Sequence, residues 1–287
     1  MATEISRLVE EGIARLGRVT DEPRREAEIL LAAALDKPRA YLLAHPDRQI
    51  LDCDATDRYE AYVTRRAHGE PIAYVLGEKE FWSLTLEVTP AVLVPRPETE
   101  LVVERALLHV PADAPGRVLD LATGSGAIAL AIAHERPRLR VVGTDVSEDA
   151  VEVARRNAAR QHLANVEIRV GSWYAPVTGE RYALIASNPP YIAAGDHRVE
   201  HGVHRHEPHG ALYAGDDGLD ALRVVIGEAP RHLVPGGWLV VEHGDTQGAD
   251  VRRLFAAAGF RDVATHRDLA GLERCTEGEI GDTLQFP

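Results

Sequence analysis

The chain has 287 residues, enough for two domains at about 150 residues each, and its 45% hydrophobic and 27% charged content is an ordinary globular mixture, neither disordered nor fibrous. Lys and Arg total 32 against 45 Asp and Glu, and the resulting net charge of -13 repels phosphate backbones and argues against nonspecific nucleic-acid binding. Cys53 and Cys275 are too few for a disulfide framework or a four-thiolate zinc site, no secretory leader pattern is evident, and no apolar run approaches the roughly 20 residues of a bilayer span, so the expectation is a soluble cytoplasmic protein without membrane association.

Residues 1–77 read as helical. Ile5, Leu8, Val9, Ile13 and Leu16 recur on one helical face. Ala27–Leu35 is a compact apolar helix introduced by Asp21 and Pro23, and Thr56–Ala67 places Tyr59, Tyr62 and Val63 on one side. Gly69 and Gly77 bracket a short further segment. At 81–94 the period changes to two: Leu84, Leu86 and Val88 alternate with Thr85, Glu87 and Thr89, Pro90-Ala91 interrupts, and Val92-Leu93-Val94 follows. This is a hairpin signal and marks a domain boundary.

From residue 98 strands and helices alternate, which predicts an α/β domain with a parallel sheet. The expected strands are 117–122, 140–145, 166–171, 182–188, 237–243 and 261–266, with a helix over 147–162 capped by Ser147. Ligands of such sheets bind beyond the carboxyl ends of the strands, and the informative motifs fall there.

The first motif is VLDLATGSGAIALAIA, a strand, a glycine turn and a helix. Gly124 and Gly126 permit backbone approaches that a side chain blocks. Asp145 ends the next strand, 19 residues after Gly126, where a carboxylate accepts ribose hydroxyls. The motif therefore predicts a nucleoside cofactor and leaves its identity open. Asp120, just before the glycines, repels a pyrophosphate and suits an ammonium or sulfonium, which favours S-adenosylmethionine over a dinucleotide. Trp173 follows the third strand and reads equally as an adenine wall or a partly buried core residue.

The second motif is Asn188-Pro189-Pro190-Tyr191, at the end of the fourth strand. Each proline restricts the residue before it and supplies no N–H, so the loop is rigid and presents acceptors, the Asn188 side-chain oxygen and the Pro189 carbonyl. Two acceptors suit a planar NH2 group, and Tyr191 offers a face to stack on it. Holding both protons of such a group raises electron density on nitrogen and aims it at an electrophile, with no metal required.

With GEPIAYVLGEKEFWSL (69–84), VLVPRPETE (92–100), LDLATGSGAIALA (119–131), SNPPYI (187–192), Glu207-Pro208, GDDGLD (215–220) and VEHGDTQG (241–248), nearly the whole chain resembles the bacterial peptide-chain-release-factor glutamine N5-methyltransferases. The Asn-Pro-Pro-Tyr loop alone is shared with adenine N6-methyltransferases; the Pro95–Glu100 run with a helical N-terminal domain is more specific. The resemblance implies a Rossmann-like class I methyltransferase sheet (98–287), a helical domain (1–77) that docks the substrate, and a β-hairpin linker (78–97). It implies methyl transfer from S-adenosylmethionine, leaving S-adenosylhomocysteine, to the glutamine of a release factor's Gly-Gly-Gln motif, in support of translation termination. By the same resemblance Asn188 and Pro189 bind the glutamine NH2, Tyr191 packs against it, and Pro190 and Leu93 lie at the pocket. Ala122, Thr123, Gly124, Ser125, Gly126, Asp145, Trp173 and Asn188 contact the cofactor. Ala122 departs from the family, which usually has glycine there.

Three rival functions fit the sequence less well. An adenine methyltransferase should carry a basic recognition region, absent from this acidic chain. A nicotinamide oxidoreductase is disfavoured by Asp120 and has no use for the Asn188 loop. A non-catalytic scaffold would need neither motif. His197, His201, His204, His206 and His209 crowd one loop and read as solvated rather than as a metal site. His243 and the two cysteines read as structural or incidental, and Pro97–Glu100 reads as a helix start with Glu98 as a candidate pocket residue.

Overall fold

The structure, a computed structural model, describes residues 3–113, 115–196 and 205–281. They divide into two compact units, residues 3–77 with 205–206, and residues 78–196 with 207–281. The expectations placed on His197, His201 and His204 lie outside the described residues.

The first unit opens with a two-residue strand, β1 (Thr3–Glu4), paired with β2 (Gln49–Ile50). Its helices are α1 (Ile5–Leu16), α2 (Pro23–Ala34), α3 (Arg39–Ala44), α4 (Cys53–Ala67) and α5 (Ile72–Leu76). The apolar face read from α1 is the buried one: Ile5, Leu8, Val9 and Leu16 pack with Leu30, Leu31, Tyr59 and Val63. The Tyr59 hydroxyl donates to the Leu8 carbonyl at 2.9 Å, satisfying both groups inside the core. The sequence pattern did not anticipate α3, whose six residues are too few to establish a period.

The second unit begins with a hairpin, β3 (Glu78–Phe81) and β4 (Leu84–Glu87). The pattern placed the interruption at Pro90-Ala91, but the turn is Trp82-Ser83, which take φ of 50° and 60°. The alternation misled because Val92–Val94 form no strand: the Val94 N–H donates to the Glu207 carboxylate at 3.1 Å, not to a neighbouring chain. The hairpin packs Phe81, Leu84 and Leu86 into the core of this unit. Buried Asn157 binds both the Glu87 N–H (2.7 Å) and the Glu87 carbonyl (3.0 Å), and its NH2 also reaches the Ser125 carbonyl at 2.9 Å. One amide therefore ties the hairpin to the glycine turn.

A 3-10 turn over Pro97–Thr99 leads into α6 (Glu100–His109). There follow β5 (Gly116–Leu121), α7 (Ala127–Glu135), β6 (Leu139–Asp145), α8 (Glu148–Arg160), β7 (Val166–Val170) and β8 (Tyr182–Ser187). The chain continues through α9 (Asp220–His232), β9 (Leu233–Glu242), α10 (Gly248–Ala257), β10 (Phe260–Arg267) and β11 (Glu273–Ile280). The predicted cap holds: the Ser147 hydroxyl accepts the Ala150 N–H at 3.2 Å.

The sheet runs β10-β11-β9-β8-β5-β6-β7. β11 is antiparallel to both neighbours, so the sheet is mixed, not the purely parallel one expected. The sequence ERCTEGEI hides it, since Glu277 and Gly278 interrupt the apolar pattern; Glu277 is nevertheless buried because Arg105 and His109 pair with it. Neighbouring residues of β5 face opposite layers, Val118 toward α6 and α7, Leu119 toward α9 and α10. Strand order reverses between β5 and β8, which opens a crevice at their carboxyl ends.

Candidate active site

The glycine turn after β5 bends sharply because Ala122, Gly124 and Gly126 all take left-handed φ, 56°, 54° and 86°. At Gly124 an added Cβ would meet no protein atom within 4 Å, so its freedom serves the backbone and leaves open space for a ligand. Ala122 holds the same region with a side chain, at a cost of about 1 kcal/mol. Ala122→Gly is therefore expected to stabilise the fold by roughly 0.5–1 kcal/mol and raise the unfolding midpoint by a few degrees. An unchanged or lowered midpoint in calorimetry would remove the strain account.

Two carboxylates frame this turn. Asp145 accepts the Gly124 N–H and the Ser147 N–H, each at 2.9 Å, so it joins the two loops and retains lone pairs for a ligand. Asp120 is fully buried. One of its oxygens accepts the Thr123 hydroxyl at 2.5 Å and the Ala129 N–H at 3.1 Å, while Oδ1 has no partner. Burial pushes its pKa up to about 7, against the pull of those two hydrogen bonds.

The crevice is a cavity of ≈ 270 Å³. Of the residues expected at the site, Leu93, Ala122, Thr123, Gly124, Ser125, Asp145, Trp173, Asn188 and Pro190 line it. Gly126 does not; it sits behind the wall as the start of α7. Pro189 and Tyr191 are also set back from it. Pro189 is buried, and the Tyr191 hydroxyl points into the protein, donating to Glu242 Oε1 at 3.0 Å. Trp173 lines the cavity and also packs against the core beneath it.

The Asn188 loop is fixed from behind. Gln247 donates to the Tyr191 carbonyl at 3.0 Å and accepts the Gly244 N–H at 2.8 Å. Gly218 has φ +73°, and a Cβ there would collide with the Tyr191 carbonyl, so only glycine allows this approach. Thus the segments 215–220 and 241–248 brace the loop without touching the cavity.

Sequence reasoning missed Thr99, Arg96, Val146 and Pro208 in the cavity wall, and Glu207 and Glu242 just behind it. Glu207 gathers the Val94 N–H and the Arg96 guanidinium. Its presence in Glu207-Pro208, one of the segments carrying the resemblance, was the available signal. Thr99 lay inside a run read as a helix start, and Glu98, named as the candidate there, is not in the wall. The Asn188 amide donates its NH2 to the Thr99 hydroxyl at 3.1 Å. Burial pushes the Glu242 pKa up to about 7, opposed by the Thr99 and Tyr191 hydroxyls and by Arg274. The charge of Glu242 together with burial in turn holds the Tyr191 hydroxyl well above its ordinary pKa.

S-adenosylmethionine fits this set of groups. The open Gly124 cradle and the partly engaged Asp145 in the wall offer space and a carboxylate to a nucleoside, whereas Asp120, expected to face a cationic group, is fully buried and not part of the wall. His243 and Cys275 are buried outside the wall; the imidazole bonds the Gly244 carbonyl and the Thr276 hydroxyl, a structural arrangement. Among the described residues no group of three potential metal ligands occurs, and no helix is long and apolar enough to cross a membrane.

Residues 7–77 match the family described as PrmC N-terminal domain, and residues 99–205 the one described as Methyltransferase small domain. Over 264 residues the chain is 50% identical to the release factor glutamine methyltransferase of Pseudomonas aeruginosa, covering 91% of this chain and 95% of that one. Its identity to the protein of the same name from Escherichia coli is 43% over 275 residues, 96% of this chain and 98% of the relative. Among solved structures, a methyltransferase from Pyrococcus furiosus aligns with a TM-score of 0.52 at 21% identity, covering 76% of this chain and 97% of that one, a likeness of fold alone.

Proposed function

This chain belongs to the release factor glutamine methyltransferases, and from that premise we propose which of its residues carry the reaction and how. The enzyme transfers a methyl group from S-adenosylmethionine to the side-chain amide nitrogen of a release-factor glutamine, the one in the Gly-Gly-Gln motif. The cofactor, when bound, supplies the methyl as an electrophile on sulfur.

An amide nitrogen is a poor nucleophile because its lone pair is shared with the carbonyl. Asn188 Oδ1 accepts one of its protons at the cavity wall, which returns electron density to nitrogen and orients it; the Pro189 carbonyl, set back from that wall, accepts the other once the entering glutamine reaches it. The observation that carries this reading is the Asn188–Thr99 hydrogen bond: with the NH2 occupied, the acceptor oxygen is the free end of the side chain at the cavity. Tyr191 would take the substrate amide on its ring once the glutamine enters. Asp145 receives the ribose hydroxyls, Ala122–Ser125 the methionine end, and Trp173 the adenine.

Residues 1–77 form the docking domain in this proposal, 78–97 the linker and 98–287 the methyltransferase domain. A release-factor substrate supports a cytoplasmic location for the enzyme. The net charge of -13 supports a protein substrate without direct nucleic-acid contact. The test is incubation with labelled S-adenosylmethionine and a release factor, its Gln→Ala variant, a short Gly-Gly-Gln peptide, or RNA. Label is expected on the intact factor alone in quantity, with the peptide much poorer in kcat/KM because it lacks a remote surface to dock. Equal efficiency on peptide and factor would refute docking, and labelled RNA would overturn the substrate class.

A further inference from the structure

Behind the Asn188 loop lies a buried chain of polar groups that the reaction as described does not use. Thr99 is 4% exposed and Glu242 1% exposed. Thr99 Oγ1 accepts from the Asn188 NH2, Tyr191 donates to Glu242 Oε1, and the buried Glu242 Oε2 has no hydrogen-bond partner. The Thr99 hydroxyl is one of the groups that favour the charged form of Glu242 against its burial.

A hydroxyl can either donate to or accept from an amide, and an amide can turn over to suit it. In the structure it is the NH2 that meets Thr99, but the hydroxyl by itself would serve the reverse arrangement equally well. An ionised Glu242 decides between them. A carboxylate without protons can only accept, so it draws the Thr99 proton, and Thr99 then presents a lone pair to Asn188. That leaves Asn188 with its NH2 inward and its oxygen toward the substrate. A protonated Glu242 can donate to Thr99, which frees the hydroxyl proton for Asn188 Oδ1 and turns the NH2 toward the cavity, where it would repel the incoming amide NH2.

We propose that Thr99 and Glu242 are positioning residues for methyl transfer: buried Glu242 sets the direction of the hydrogen bonds and Thr99 relays it, so that Asn188 offers an acceptor to the substrate amide. This rests on the reading of Asn188 given above. The groups facing Glu242 are the hydroxyls of Thr99 and Tyr191, Glu98 from the 3-10 turn, and Arg274 and Cys275 from β11, where Cys275 is its register partner. Arg96 and Arg274 also face Tyr191. Arg274 and the hydroxyls favour the charged form; Glu98 and burial oppose it.

The direction of the pH effect follows. Ionised Glu242 is the productive state, so turnover should climb as pH rises through about 7, where this carboxyl titrates, and then level off. Thr99→Val keeps the shape and removes the acceptor; kcat on the release factor should fall roughly 10- to 100-fold, as for a misdirected reacting group. KM and calorimetric cofactor affinity should stay within about twofold, because a hydrogen bond used in the transition state is not a binding contact. Thr99→Ser, which restores the hydroxyl, should recover most of the rate, and Glu242→Gln should lower the plateau and abolish the step near neutrality. Wild-type turnover in Thr99→Val, a serine variant as poor as valine, or a wild-type profile with no acid limb would each overturn the proposal. Full activity of Asn188→Ala would instead overturn the reading beneath it. The wild-type profile and the serine variant keep the test decisive where Thr99→Val or Glu242→Gln fails to fold.

Discussion

Asn188→Ala is expected to lower kcat for glutamine methylation by roughly 100-fold or more while cofactor affinity remains nearly normal. Losing one preorganised partner of the reacting group costs about 3 kcal/mol in the transition state, and each 1.36 kcal/mol is tenfold in rate. The side chain stands at the cavity with its NH2 already spent on Thr99, so the alanine variant removes an acceptor that no neighbouring side chain replaces in the same place. Asn188→Asp is an instructive companion: it keeps the acceptor but loses the NH2, so Thr99 must donate to it, and another buried charge is set near Glu242. Single-turnover rates with saturating cofactor separate the chemical step from binding. Near-normal turnover of the alanine variant would remove Asn188 from the reaction.

Asp145→Ala should act on the other substrate. A charge-assisted bond to a ribose hydroxyl contributes roughly 1.5–3 kcal/mol, about 10- to 150-fold in affinity. Asp145 also accepts the N–H groups of Gly124 and Ser147. Alanine leaves both donors without that carboxylate and loosens the glycine turn, so the larger end of the range is expected, together with some loss of thermal stability. Calorimetric titration of S-adenosylmethionine and S-adenosylhomocysteine measures it. At saturating cofactor the rate should largely return, since the amide-orienting groups lie across the cavity. Unchanged affinity would show that the ribose is held elsewhere.

The amino-acid sequence by itself determined the parts of this protein whose cause is local. The 3.6-residue period of Ile5–Leu16 dictates which face of that helix is buried, because an apolar stripe has no other place to go. Strand, glycine turn and helix around Gly124, with Asp145 one strand later, specify a nucleoside site through backbone freedom and chain order alone. Consecutive prolines make the loop at Asn188 rigid wherever it falls. Tertiary structure decided what depends on partners distant in the chain. Strand β11 is illegible because Glu277 looks like a surface residue until Arg105, 172 positions away, neutralises it. Val92-Leu93-Val94 reads as a strand, yet Glu207, 113 residues on from Val94, takes the Val94 N–H that a strand partner needs. The Asn188 NH2 meets Thr99, 89 residues earlier, and the Tyr191 hydroxyl meets Glu242, 51 residues on, through hydrogen bonds that have no period and leave no local pattern. Periodicity records what a residue must bury, whereas the donor it will meet in the folded core is known only once the strands are in register.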